Sequence, residues 1–120
     1  MSLIDTSAID TLGRVLDVTA FRQQLVSQNI ANVDTPGYHT RDVDFRQELQ
    51  RALHGDDEVA PAAVPREVPG LSQRPDGNNV SIDRESLLMA QNQLAFQVDV
   101  QLLRAEFTRL QLAINGGNGQ

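Results

Sequence analysis

Near the amino terminus, Leu12, Leu16, Thr19, Val26, Ile30 and Val33 recur at spacings of three, four or seven. Side chains on an α-helix return to one face at that period, so the stripe predicts a helix over 7–33. Asp5, Thr6 and Ser7 offer N-cap oxygens ahead of it, and Gly13 is the one strongly helix-weakening residue inside. The helix should stop near Asn32 or Val33, because Pro36 lacks an amide hydrogen and pushes Thr35 out of the helical region. Pro36-Gly37 suits a type II turn, with proline presetting the first central dihedral and glycine accepting the positive φ of the second. That turn is expected to aim Tyr38 away from the helix axis.

A second stripe runs through Leu88, Ala95, Val98, Leu102, Ala105 and Leu112, widened on one flank by Leu87 and Leu94. It predicts a longer helix over 83–115, opened by Asp83 as N-cap and ended by Gly116-Gly117. The two helices would be about 39 and 46 Å long at about 1.5 Å per residue. They are expected to pack antiparallel as a coiled-coil-like pair through Leu12, Leu16, Val26 and Ile30 on one side and Leu88, Leu94, Val98, Leu102 and Ala105 on the other. Each stripe wraps past a single contact face, so part of it must meet other chains. Leu25, Asn29 and Asn32 form a further face of the first helix, where the amides can set register in a packed interface or face solvent.

Between the stripes, 34–82 reads as a turn and an extended arm, with a short helix near 44–53 whose one face carries Phe45 and Leu49. From Ala52 to Asn79 the chain holds Pro61, Pro65, Pro69 and Pro75, the acidic run Asp56-Asp57-Glu58, and little periodicity. Asp76-Gly77 marks its last turn, with a hairpin as one option, and Asn79 to Ile82 suits a short extended piece. The fold class is therefore mainly α: two long amphipathic terminal helices, an irregular Pro-rich arm, little or no strand, and one subunit over 1–120.

Charge and composition remove several function classes. The 120 residues carry a formal charge of −6, with ten arginines spread along the chain and no lysine, so a phosphate-binding basic patch is absent and nucleic acid is not an expected partner. There is no cysteine, which removes disulfides, thiolate metal sites and thiol nucleophiles. The start, MSLIDTSAID, has neither a basic leader nor a long apolar run, so neither a cleaved secretory signal nor membrane insertion is expected. For an enzyme the candidate groups are His39 with Asp42 or Asp44, and His54 near Asp56 and Asp57. These sit in a turn and a Pro-rich loop with no nucleophile motif, so no catalytic, cofactor or metal set is expected. A helical adaptor or binding module remains the alternative to a polymer subunit.

The block Asn29-Ile30-Ala31-Asn32 followed by Thr35-Pro36-Gly37-Tyr38, placed after an amphipathic helix, resembles the amino-terminal signature of the rod and hook proteins of the bacterial flagellum. Gly77-Asn78-Asn79-Val80, Asp83-Arg84-Glu85 and Asn92-Gln93-Leu94 are similar to the carboxy-terminal part of the proximal rod branch of that family, and the short middle agrees. Ala52 to Arg74 lies outside the resemblance. The resemblance implies a structural subunit without catalysis, whose terminal helices pack against copies of itself and other rod proteins in a torque-transmitting tube. It further implies passage through the flagellar type III export apparatus without a cleaved signal. It places the subunit in the basal body, in the periplasmic space, beside the rod-to-ring adaptor and the membrane-ring base. Phe45 and Leu49 resemble the Phe-x-x-x-aliphatic element by which such subunits engage the export gate. Simple packing on the main helices is the other reading of that pair.

Overall fold

The computed structural model describes residues 6–54 and 64–118, with side chains described as far as residue 116. Five elements follow in order: α1 (Ser7–Ala31), β1 (Arg41–Asp42), α2 (Phe45–His54), β2 (Arg66–Glu67) and α3 (Ile82–Asn118). The two long helices run antiparallel, giving a rod-shaped body of 72 × 28 × 17 Å. Mid-way along the pair Asn92 Nδ2 donates to Gln23 Oε1 at 3.2 Å. Farther out, Leu102, Ala105 and Glu106 lie beside Ser7, Ala8, Thr11 and Leu12. Beyond that level α3 continues alone among the described residues.

Each helix boundary has a local cause. Thr6 takes the N-cap position of α1 but makes no side-chain cap bond, so the expected capping oxygen is not used there. At its far end Asn32 closes α1 with its amide on Gln28 and Asn29 carbonyls, one to two residues from the expected stop. Asp44 caps α2, its Oδ1 accepting from Gln47 N at 3.1 Å, close to the expected 44–53. The start of α3 corrects the expectation of an Asp83 cap. Ser81 is the cap, its Oγ accepting from Arg84 N at 3.2 Å, while Asp83 sits in the first turn where its charge complements the helix dipole. Gly116-Gly117 does not stop the helix, which runs to Asn118. Glycine costs about 1 kcal/mol in a helix interior and weakens it without forbidding it.

The arm returns to the body in the part that is described. β1 and β2 pair antiparallel, Arg41 opposite Glu67 and Asp42 opposite Arg66, and Val68 N donates to Thr40 O at 3.0 Å. Asp76-Gly77 forms a turn without flanking strands. Pro61 and the acidic run with Asp56 and Asp57 lie outside the described residues.

The seam between α1 and α3 is more polar than the stripes suggest. Leu25, Val26 and Leu88 are buried, but so are Thr19, Asn29, Glu85, Asn92 and Asp99. Leu12, Leu16 and Ile30 are half-buried, whereas Leu94, Val98, Leu102 and Ala105 are exposed in this single chain, although Leu102 and Ala105 lie beside Leu12 of α1. Within the seam Asp99 Oδ2 has no hydrogen-bond partner among the described residues, and burial pushes its carboxyl above the usual carboxylate range. A raised folded-state value means the unfolded chain gives up this proton more readily, so the charged form is disfavoured in the fold. The penalty is absent below the ordinary carboxylate value and sets in as pH rises through the raised one. Asp99→Asn should therefore be more stable than the parent at pH 7, with the advantage shrinking towards acid. Urea midpoints of the pair at several pH values would test this, and a constant difference would contradict it.

Candidate functional site

The segment Asn29 to Tyr38 forms a junction where α1, the arm and the start of α3 are tied together. Asn29 is its hub, 1% exposed. Its Nδ2 donates to Arg41 O at 2.8 Å and Glu85 Oε2 at 3.1 Å. Its Oδ1 accepts from Tyr38 Oη at 2.9 Å and Arg41 N at 3.1 Å. An amide offers two donors and two lone pairs, so every position is used. These four groups belong to three residues, Tyr38, Arg41 and Glu85, and an amide at residue 29 serves all of them, which gives the first Asn of the motif a physical reason.

Thr35-Pro36-Gly37-Tyr38 is the expected type II turn. Tyr38 N donates to Thr35 O at 3.2 Å, and Gly37 has φ 75°. Tyr38 corrects the sequence expectation, because its ring turns back onto α1 to reach Asn29. Burial pushes its hydroxyl above the usual value, Arg41 opposing and Glu85 adding to the rise.

The second turn packs against the first. Gly77 has φ 88°, and a Cβ there would lie 3.2 Å from Gly37 Cα. Gly37 N donates to Asp76 O at 2.8 Å. Asn78, fully buried, bridges both turns: its Nδ2 donates to Asn32 O and Thr35 O, each at 2.9 Å, and its Oδ1 accepts from Val80 N at 2.8 Å. Asn32 Oδ1 in turn accepts from Thr35 Oγ1 at 3.1 Å, and Arg74 Nη2 donates to Val33 O. Asn79 continues the join, its Oδ1 accepting from Thr40 N at 2.7 Å. Ile30 is half-buried and Ala31 exposed.

A balanced charge cluster completes the junction. Arg22 makes a two-pronged pair with Asp42, Nε to Oδ1 at 3.2 Å and Nη2 to Oδ2 at 3.0 Å. Arg84 Nη2 reaches the same Oδ2 at 2.8 Å and its Nη1 reaches Glu85 Oε1 at 2.7 Å. Two cations thus meet two carboxylates, and Val43 N adds a bond to Asp42 Oδ1 at 2.8 Å. Buried charge is tolerated only under such pairing. Arg22 also lies 4.8 Å from the centroid of the Phe45 ring. Phe45 and Leu49 are half-buried on α2, and Arg14 Nε holds that helix through Ala52 O at 3.1 Å.

Of the residues weighed for catalysis, Asp42 and His39 are engaged elsewhere, and Asp44 caps α2. Asp42 serves Arg22 and Arg84, while His39 Nδ1 lies 3.2 Å from Glu67 Oε2 at the surface. His54 is exposed, and its acidic neighbours lie outside the described residues. Among the described residues no group of His, Cys, Asp or Glu could hold a metal ion, and no helix is long and apolar enough to cross a membrane. The geometry is that of a clasp fixing two helices and an arm in one register. Arg22 is not singled out by the sequence, Asp42 is weighed there only as an enzyme candidate, and Asn78 enters only through the resemblance. Their spacing has no period, and the only signal was the abundance of Asn and Asp beside turn glycines.

No protein-family model matches the chain. Curated relatives do. The flagellar basal body rod protein FlgB of Salmonella typhimurium is 32% identical over 123 residues, covering 86% of this chain and 89% of the relative. The chain belongs to the FlgB family of flagellar basal body rod proteins. FlgB of Escherichia coli is 31% identical over 86% of this chain, and FlgB of Bacillus subtilis is 30% identical over 98% of it and 99% of the relative. The Bacillus subtilis comparison spans nearly the whole of both chains.

Proposed function

We propose that this chain is a structural subunit of the flagellar basal-body rod, in its proximal part, where it polymerises through α1 and α3 into the drive shaft that carries motor torque. Membership of the FlgB family carries this reading. Physical support comes from the clasp, which gives each subunit a fixed shape, and from Leu87, Leu94, Val98 and Leu102, which stay exposed on one chain and gain burial beside neighbours. Other rod proteins are its assembly partners in this reading, and the rod-to-ring adaptor and membrane-ring base lie at its inner end. The subunit reaches the periplasmic space through the flagellar type III export apparatus, with Phe45 and Leu49 as the element that apparatus engages. The same pair packs on α1 after assembly, so export and packing act at different times. The motif Asn29, Ile30, Ala31, Asn32, Thr35, Pro36, Gly37 and Tyr38 sets the angle at which the arm leaves the helices.

Deleting the gene should leave membrane rings without a rod, and restoring it should rebuild complete basal bodies, as read by electron microscopy of purified basal bodies. Complementation with Phe45→Ala/Leu49→Ala should leave the rod unbuilt while the protein accumulates inside the cell. Complete rods in the deletion strain would overturn the rod reading in favour of a helical adaptor, and normal export of the double variant would overturn the export role alone.

A further inference from the structure

The middle of the helix pair is free of outward charge in a chain that is otherwise strongly acidic. Between Glu85 and Arg104 the only ionisable residue is Asp99, which is buried in the seam. Between Asp17 and the end of α1 the only one is Arg22, which is spent on Asp42. On one flank of this neutral stretch lies an open groove of about 800 Å³ between the helices. Its walls are small or amide side chains, including Ala20, Gln24, Ser27 and Gln28 of α1 and Gln93 of α3, with Phe96 the one bulky lining residue, and no lining residue is charged. The Asn92–Gln23 hydrogen bond lies along it.

Another flank of the same body carries the opposite relief. Leu87, Leu94, Val98 and Leu102 fall within about 80° of one another at about 100° per residue, forming a bulky ridge on α3. They are 47% to 63% exposed. The centre of the ridge lies about 165° around α3 from the centre of the residues that line the groove, so one molecule cannot place its own ridge in its own groove. We infer that the groove between α1 and α3 receives the Leu87–Leu102 ridge of a second copy of this chain.

Charge selects the occupant. A net charge of −6 makes most surfaces of two copies repel, whereas groove and ridge are both neutral and can approach without desolvating an ion. Shape gives the direction, since short side chains and amides leave room for leucines, and the amides can bond to one another around them. Groove and ridge are different surfaces, so the contact is head-to-tail and leaves a free groove and a free ridge at the two ends. The ridge is a strip about 24 Å long and about 10 Å wide, well below the roughly 800 Å² per partner of a standard interface. One such contact is weak, and it holds only where further contacts in a polymer add to it. The inference rests on the rod reading for that reason.

The test uses the full chain in swimming cells, with Gln24→p-benzoylphenylalanine in the groove and irradiation before basal bodies are purified. The expected product is a two-copy band, in which the tryptic peptide Gln23–Arg41 of one copy is joined to Glu85–Arg104 of the other. Adding Val98→Asp should abolish that band. A cross-link to a different rod protein, or one confined to a single chain, would overturn the inference while leaving the rod function intact. Absence of the protein from basal bodies would overturn both readings. Should the Gln24 variant fail to assemble, the probe at Gln93 on the opposite wall should give a two-copy band in which Glu85–Arg104 of one copy is joined to Glu85–Arg104 of the other.

Discussion

Gly77→Ala should destabilise the subunit by about 2–4 kcal/mol and abolish rod assembly. Two effects combine at this position. The backbone φ of 88° lies where an L side chain is strained, and the new Cβ would stand 3.2 Å from Gly37 Cα. That neighbour is backbone in a turn that is itself fixed by Gly37 N on Asp76 O and by Asn78, so it cannot swing aside as a flexible side chain would. Gly37→Ala is the control. Its φ of 75° carries the same kind of strain, but nothing lies within 4 Å of the added Cβ, so the loss should be about 1–2 kcal/mol. Urea midpoints followed by circular dichroism, together with motility in soft agar, distinguish the two. Equal losses would mean that the contact between the turns adds nothing beyond the strained dihedral.

Asn29→Ala is the second large effect, expected at about 3–5 kcal/mol. It removes four hydrogen bonds at once, and the penalty is dominated by what stays behind: Glu85 Oε2, the Tyr38 hydroxyl and both backbone groups of Arg41 at a buried site. Glu85 is 0% exposed, so water cannot replace the lost donor without opening the junction. Tyr38→Phe deletes a single bond and should cost only about 0.5–1.5 kcal/mol. Asn29→Asp keeps the shape but sets a carboxylate against Glu85 and forfeits both donors, so it should be at least as damaging as alanine. The same equilibrium unfolding measurements rank the three, and a Tyr38→Phe loss as large as that of Asn29→Ala would mean the amide is not the hub.

Sequence periodicity made the helices legible because burial of one face imposes a repeat of three or four, and α1, α2 and α3 all fall where such repeats occur. The turn at Pro36-Gly37 was legible for an equally local reason, since few residues accept its dihedrals. What periodicity could not supply was the facing of α3. Leu94 and Val98 look like seam residues, yet Glu85, Asn92 and Asp99 occupy the seam; hydrogen bonds to α1 hold Glu85 and Asn92 there, while Asp99 Oδ2 is buried without one among the described residues. Those partners are distant in sequence. Asn78 illustrates the same gap: nothing in its neighbours announces that it bonds to carbonyls at Asn32 and Thr35. Asp83 and Ser81 differ by two positions as caps, and only the path of the preceding chain decided between them.

The wiring of the clasp also orders events in time. Asn29 is complete only when Glu85 arrives from 56 residues downstream, and the Asn32 and Thr35 carbonyls wait for Asn78, 46 and 43 residues away. A chain emerging amino end first therefore holds α1, the turn and the first strand before it holds the groups that lock them. Closing so long a loop is entropically slow compared with forming a local helix turn. The junction acts as a completeness check, in which the last third of the polypeptide must be present before the first third can settle into its final geometry.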